Sequence, residues 1–124
     1  MANYKRIDHT ALHVCNIEAS KTFYERHFGF ETYFEHKTPT GITIVYLRLQ
    51  DTVLELTGIE DVPVNGFHFC IETDDFERAV TDLTAAGVEL FQAPHKTAAR
   101  HPREEKWQRV VFKGPAGEQI ELRG

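Results

Sequence analysis

Two histidines and two glutamates occupy matching places in the two halves of this 124-residue chain. His9 and His68 each lie in a segment that reads as the first strand of a half. Glu55 and Glu121 each sit between aliphatic residues, in the phrases Leu54-Glu55-Leu56 and Ile120-Glu121-Leu122. Side chains alternate between the two faces of a strand. That alternation sets Thr10, Leu12 and Val14 against His9, Ala11 and His13, and Phe67, Phe69 and Ile71 against His68, Cys70 and Glu72. It likewise sets Leu54 and Leu56 against Glu55 and Thr57, and Ile120 and Leu122 against Glu121 and Arg123. If the apolar faces pack under helices, the opposite faces carry His9, Glu55, His68 and Glu121. Imidazole nitrogens suit Zn, Ni, Co and Fe, and carboxylates suit harder ions. A set of two histidines and two glutamates suits an octahedral divalent metal, with two positions left for water or substrate. The plain alternative is the wet face of an antiparallel sheet, which needs no function. It accounts for any one of the four residues. It accounts less well for the set, because glutamate is depleted in strands and each half places one mid-strand.

The elements that would hold these residues repeat. Residues 5–14 alternate and read as a strand. Asn16 is a helix cap for residues 17–28, with Ile17, Phe23, Tyr24 and Phe28 as its buried stripe, and Gly29 stops the helix. Strands follow over 31–37, 42–49 and 52–57. After a connection containing Pro63 the pattern restarts, with a strand over 66–73 and a helix over 76–86 capped by Asp74 or Asp75 and stopped by Gly87. Strands over 88–91, 107–113 and 118–123 complete the second half, the last two joined by the turn Gly114-Pro115-Ala116-Gly117. The order is βαβββ twice. The spacing from His9 to His68 is matched within one residue by that from Gly29 to Gly87. The expected fold class is therefore α+β, one domain over 1–124 made of modules 1–60 and 65–124. A module this small is marginal alone, so the two should pair. Residues 93–106 lack periodicity and read as a lid, a substrate-gripping loop or a solvated insertion.

Composition narrows the partners. The net charge of −5 advertises no basic face for nucleic acid. No apolar stretch is long enough to cross a membrane. The N-terminus lacks the apolar core of a signal peptide, which makes the cytoplasm the default location. Two cysteines are too few for a disulfide scaffold; Cys70 reads as a small buried hydrophobe. His13 shares a strand face with His9, and Trp107 and Arg109 share a parity, so these three are candidate contacts for a small-molecule substrate, anionic or flat.

The phrase DHTALHVCNIEASKTFYERHFGFE resembles the opening module of the vicinal oxygen chelate superfamily, which includes glyoxalase I. The Val53–Thr57 strand, the Gly66–Thr73 strand and the ending GPAGEQIEL are similar to its other three ligand strands. The resemblance implies tandem βαβββ modules curling into a partly open β-barrel around a divalent ion: Ni, Zn, Co, Mn or Fe. Carried over, the ligands are His9, Glu55, His68 and Glu121. Glu121 is the implied catalytic base, with Glu55 sharing the role, in a lyase or isomerase acting through a metal-stabilised enediolate. The implied assembly is a homodimer, in which the first module of one chain faces the second of its partner. Two other readings stay within the superfamily. A ring-cleaving dioxygenase would use His9, His68 and Glu121 on Fe(II), which leaves Glu55 surplus. A drug-sequestering binding protein would generally lack the ligands. One position departs from glyoxalase I proper: four residues after the first ligand, where an arginine typically holds a glutathione carboxylate, this chain has His13.

Overall fold

The computed structural model describes Asn3 and residues 5–60 and 68–124. The chain forms two compact units, Met1–Val62 and Pro63–Gly124. Pro63 and the first two residues of the expected fifth strand, Gly66 and Phe67, lie outside the described residues.

The first unit runs β1 (Thr10–His13), α1 (Ile17–Phe28), β2 (Glu31–Lys37), β3 (Thr43–Leu49) and β4 (Thr52–Thr57). The second runs β5 (His68–Glu72), α2 (Phe76–Ala85), β6 (Glu89–Lys96), a 3-10 turn (Pro102–Glu104), β7 (Gln108–Lys113) and β8 (Gln119–Arg123). Each unit folds its four strands into one mixed sheet, ordered β1-β4-β3-β2 and β5-β8-β7-β6. The first and last strands pair in parallel, and the other neighbours are antiparallel. The tandem α+β architecture expected from the repeat is thus the observed one. Among the described residues, no helix is long and apolar enough to cross a membrane.

Local chemistry explains the helix boundaries. Asn16 accepts the Ala19 N–H at 3.0 Å, satisfying one of the free donors of the first turn. Gly29 ends α1 with φ 73°, a left-handed conformation that glycine adopts without a Cβ clash. Asp75, rather than Asp74, caps α2 by accepting the Arg78 N–H at 3.2 Å. Helix α1 packs on β2, β3 and β4 of its own unit. Of its expected stripe, Tyr24 is fully buried, while Ile17, Phe23 and Phe28 are half-buried.

The register follows the alternation. Leu54, Leu56, Ile120 and Leu122 are all buried in the core. Ala11 lies across from Glu55, and Cys70 from Glu121, so the glutamates occupy the alternate positions of their strands. Two boundaries differ from expectation. β1 is shorter, beginning at Thr10 and leaving His9 just ahead of it. β6 is longer, running to Lys96 and taking in the first four residues of the stretch that reads as a loop. It can do so because it is an edge strand: Pro94 has no N–H to give, and an edge does not require one.

Candidate metal centre

Glu55 lies on β4, the inner strand between β1 and β3, and is only 9% exposed. One oxygen, Oε1, accepts the Thr57 hydroxyl at 2.8 Å. The other, Oε2, stands 2.8 Å from His9 Nε2. Thr57 can reach Glu55 because residues two apart on a strand share a face. Tyr46 of β3 lies directly across from Glu55, and hydrogen-bonds it. Desolvation first, and the Glu55 charge second, push the Tyr46 phenol above its ordinary value. The far side of His9 is also engaged: Nδ1 is 3.0 Å from Asp8 Oδ2.

The second unit repeats this plan with other neighbours. Glu121, on inner strand β8, is 6% exposed. Its Oε1 accepts the Arg109 Nε–H at 2.8 Å, and its Oε2 is 3.3 Å from His68 Nε2. Val111 occupies the position across from Glu121, and Arg109 reaches it diagonally from β7. In both units, therefore, one carboxylate oxygen is anchored inside the unit and the other faces an imidazole nitrogen.

The structure brings the four expected residues together as two pairs, one per unit. Among the described residues, no three His, Cys, Asp or Glu gather at one point to hold an ion. The contacts at His9 test whether a cation fits. A neutral imidazole carries one N–H and one lone pair. With carboxylate oxygens at both nitrogens, Asp8 on one and Glu55 on the other, one lone pair faces another. A cation at Nε2 would resolve this. A histidine whose distal N–H is held by a carboxylate is the usual arrangement of a metal-ligating imidazole. The donor set fits a divalent ion.

The other expected residues fall as follows. His13 is exposed at the end of β1. Trp107 immediately precedes β7, and the Arg103 guanidinium stacks over its ring at 4.8 Å. Cys70 is solvent-accessible rather than buried. Its thiol is nonetheless pushed up to about 11, mainly by local desolvation and then by the Glu121 charge. Alternation alone offered Thr57 as a neighbour of Glu55. Tyr46 was not legible as a site residue, since its placement across from Glu55 depends on cross-strand register.

Residues 6–122 match the family described as the Glyoxalase/Bleomycin resistance protein/Dioxygenase superfamily. The chain belongs to that superfamily. Among curated members it is similar to the mitochondrial methylmalonyl-CoA epimerase of Homo sapiens, 31% identical over 122 residues. The match takes in 82% of this chain and 69% of that protein, and 63% of the Bos taurus counterpart. The chain thus spans about two thirds of the length of these relatives. Among solved superfamily structures, a glyoxalase family protein from Enterococcus faecalis superposes with a TM-score of 0.79 at 22% identity, covering 98% of both chains. A fosfomycin resistance protein from Listeria monocytogenes, complexed with Mn(II), superposes with a TM-score of 0.73 at 13% identity, covering 96% of this chain and 91% of that one. At these identities the structural likeness is one of fold.

Proposed function

We propose that the chain is a divalent-metal-dependent enzyme that moves a proton at a carbon next to a carbonyl, epimerising or isomerising a small oxygen-rich substrate. The observation that carries this reading is the His–Glu pair built twice, each carboxylate anchored through Oε1 and facing an imidazole through Oε2. His9, Glu55, His68 and Glu121 would hold the ion when a first module faces a second. The preferred arrangement is a homodimer, with closure within one chain as its alternative. The bound ion would lower the cost of negative charge on a substrate oxygen. Glu121 and Glu55 are the groups suited to take the proton from carbon and hand it back. Return to the opposite face of the same carbon inverts it. Return to the neighbouring carbon isomerises an α-hydroxycarbonyl or thiol adduct. The sequence likeness to methylmalonyl-CoA epimerases adds thioesters to the substrate classes, beside the hemithioacetals of a glyoxalase I.

The test begins with protein stripped by chelator and reloaded with Ni²⁺, Co²⁺, Zn²⁺ or Mn²⁺. Thermal melting reads binding, since an ion at about 100 times its Kd adds about 2.7 kcal/mol. Deuterium uptake from D₂O into methylmalonyl-CoA, and into the methylglyoxal–glutathione hemithioacetal, reads proton transfer by NMR. The expected result is metal-dependent stabilisation and exchange, with exchange reduced about 10²–10⁴-fold in Glu121→Gln or Glu55→Gln. Protein that gains neither stability nor exchange with any of the ions overturns the reading.

A further inference from the structure

Strand β6 carries two register irregularities against β7, between Leu90 and Gln92 and between Gln92 and His95. Their consequence is local. Gln92 and His95 are an odd number of residues apart, so in a regular strand they would face opposite ways. The extra residue of the second bulge, in the stretch containing Pro94, re-aims one of them. Both side chains then meet one guanidinium. Arg109 Nη1 donates to Gln92 Oε1 at 2.8 Å and lies 3.2 Å from His95 Nε2. Since arginine only donates, His95 Nε2 is the acceptor, and the ring proton sits on Nδ1, 2.9 Å from the Ala93 carbonyl. The Arg109 Nε–H is left aimed at Glu121 Oε1, at 2.8 Å.

We propose that Arg109, braced by Gln92 and His95, is a positioning residue that fixes the rotamer of Glu121 and presents its Oε2 to the cation. The inference rests on the proposed function and deepens it by adding the support of one ligand. It also assigns Arg109 a role other than gripping substrate. Outer partners that orient a metal ligand characteristically alter affinity by about 10–100-fold when changed. The bulged edge strand has a reason on this account, because a regular β6 could not supply both braces.

The deciding variant is Arg109→Lys, which keeps the charge but cannot span Gln92, His95 and Glu121 as a planar fork does. Co²⁺ affinity by calorimetry and the visible spectrum of the Co²⁺ form are compared with wild type, alongside melting of the metal-free proteins. The expected result is Co²⁺ binding about 10–100-fold weaker with an altered d–d spectrum, from a metal-free protein that still melts cooperatively. Gln92→Leu is expected to shift affinity the same way by a smaller factor. It carries the test by itself should Arg109→Lys fail to fold. Wild-type affinity and spectrum in these variants overturn the inference, as does a raised substrate KM at unchanged Co²⁺ affinity, which would mark Arg109 as a substrate anchor. Wild-type protein that binds no Co²⁺ overturns the proposed function instead, and this inference with it.

Discussion

Cys70 and His13 make opposite demands on a chemist. Cys70 is accessible, yet its thiol is held up at about 11 by desolvation and by Glu121. The thiolate is the reactive form, so alkylation of Cys70 by iodoacetamide in the metal-free protein should be slow at neutral pH and keep rising with pH, levelling off only near about 11. Peptide mass mapping after timed quenching checks this; rapid labelling of Cys70 at pH 7 would refute it. On the resemblance to glyoxalase I, His13 takes the position where an arginine is typical. A neutral imidazole has no fixed charge to match a carboxylate, and a charge-assisted hydrogen bond is worth about 1.5–3 kcal/mol. Glutathione hemithioacetal should therefore be a poor substrate. Steady-state kinetics on the Ni²⁺ and Zn²⁺ forms should give a kcat/KM below ~10⁵ M⁻¹s⁻¹. At this scale, the sequence revealed which residues are paired but not what braces them. Glu55 and Glu121 follow from alternation, because a strand has only two faces. Gln92 and His95 do not, because a bulge breaks the period that alternation depends on.

The segment between β6 and β7 shows the same limit among elements. Its lack of periodicity reads as a lid, a substrate-gripping loop or an insertion, and the structure adds a set of ion pairs that holds part of it. Glu104, at the end of the 3-10 turn, is 2% exposed. It accepts from the Arg100 backbone N–H at 2.9 Å and from that guanidinium at 3.0 and 2.8 Å. Arg123, at the end of β8, approaches the same carboxylate at 3.5 Å. Charges four residues apart in a loop carry no period, so only the folded contacts reveal the knot. The Arg100 hydrogen bonds hold the Glu104 carboxyl down at about 2, from an ordinary 4.5. A carboxyl lowered on folding contributes stability that is full above its ordinary value and lost as pH falls toward the folded one. Wild type should exceed Glu104→Gln in urea midpoint by a constant margin above pH 4.5, and that margin should shrink between pH 4.5 and 2. A margin independent of pH across this window would show that the carboxylate charge contributes nothing. By contrast, the helices were legible almost to the residue, because Asn16, Gly29 and Gly87 carry their own local chemistry.

For the whole molecule, the duplication was legible because it is written in residues as well as in elements. How one module meets another is not, since each module's sequence fixes its own sheet. The proposed homodimer nevertheless makes a sharp prediction. If the site joins the first module of one chain to the second of its partner, His9→Ala and Glu121→Ala homodimers are each inactive. A heterodimer of the two has one site with both defects and one with neither. Mixing equal amounts under subunit exchange should restore about a quarter of wild-type activity, half the molecules having one of two sites intact. Mixtures that stay inactive despite exchange, verified by native mass spectrometry, would place closure within a single chain.

The strand order also bears on how the protein is made. In each sheet the strand synthesised last, β4 or β8, is not an edge but sits between the first strand and the third. While a nascent chain lengthens, β1 and β5 therefore wait without a neighbour until the final strand of their module emerges. That same strand brings the glutamate. A module interrupted before residues 52–57 or 119–123 lacks both its acid and the insert that knits its sheet. A fragment that carries the histidine without the glutamate therefore also lacks the strand with which β1 or β5 pairs.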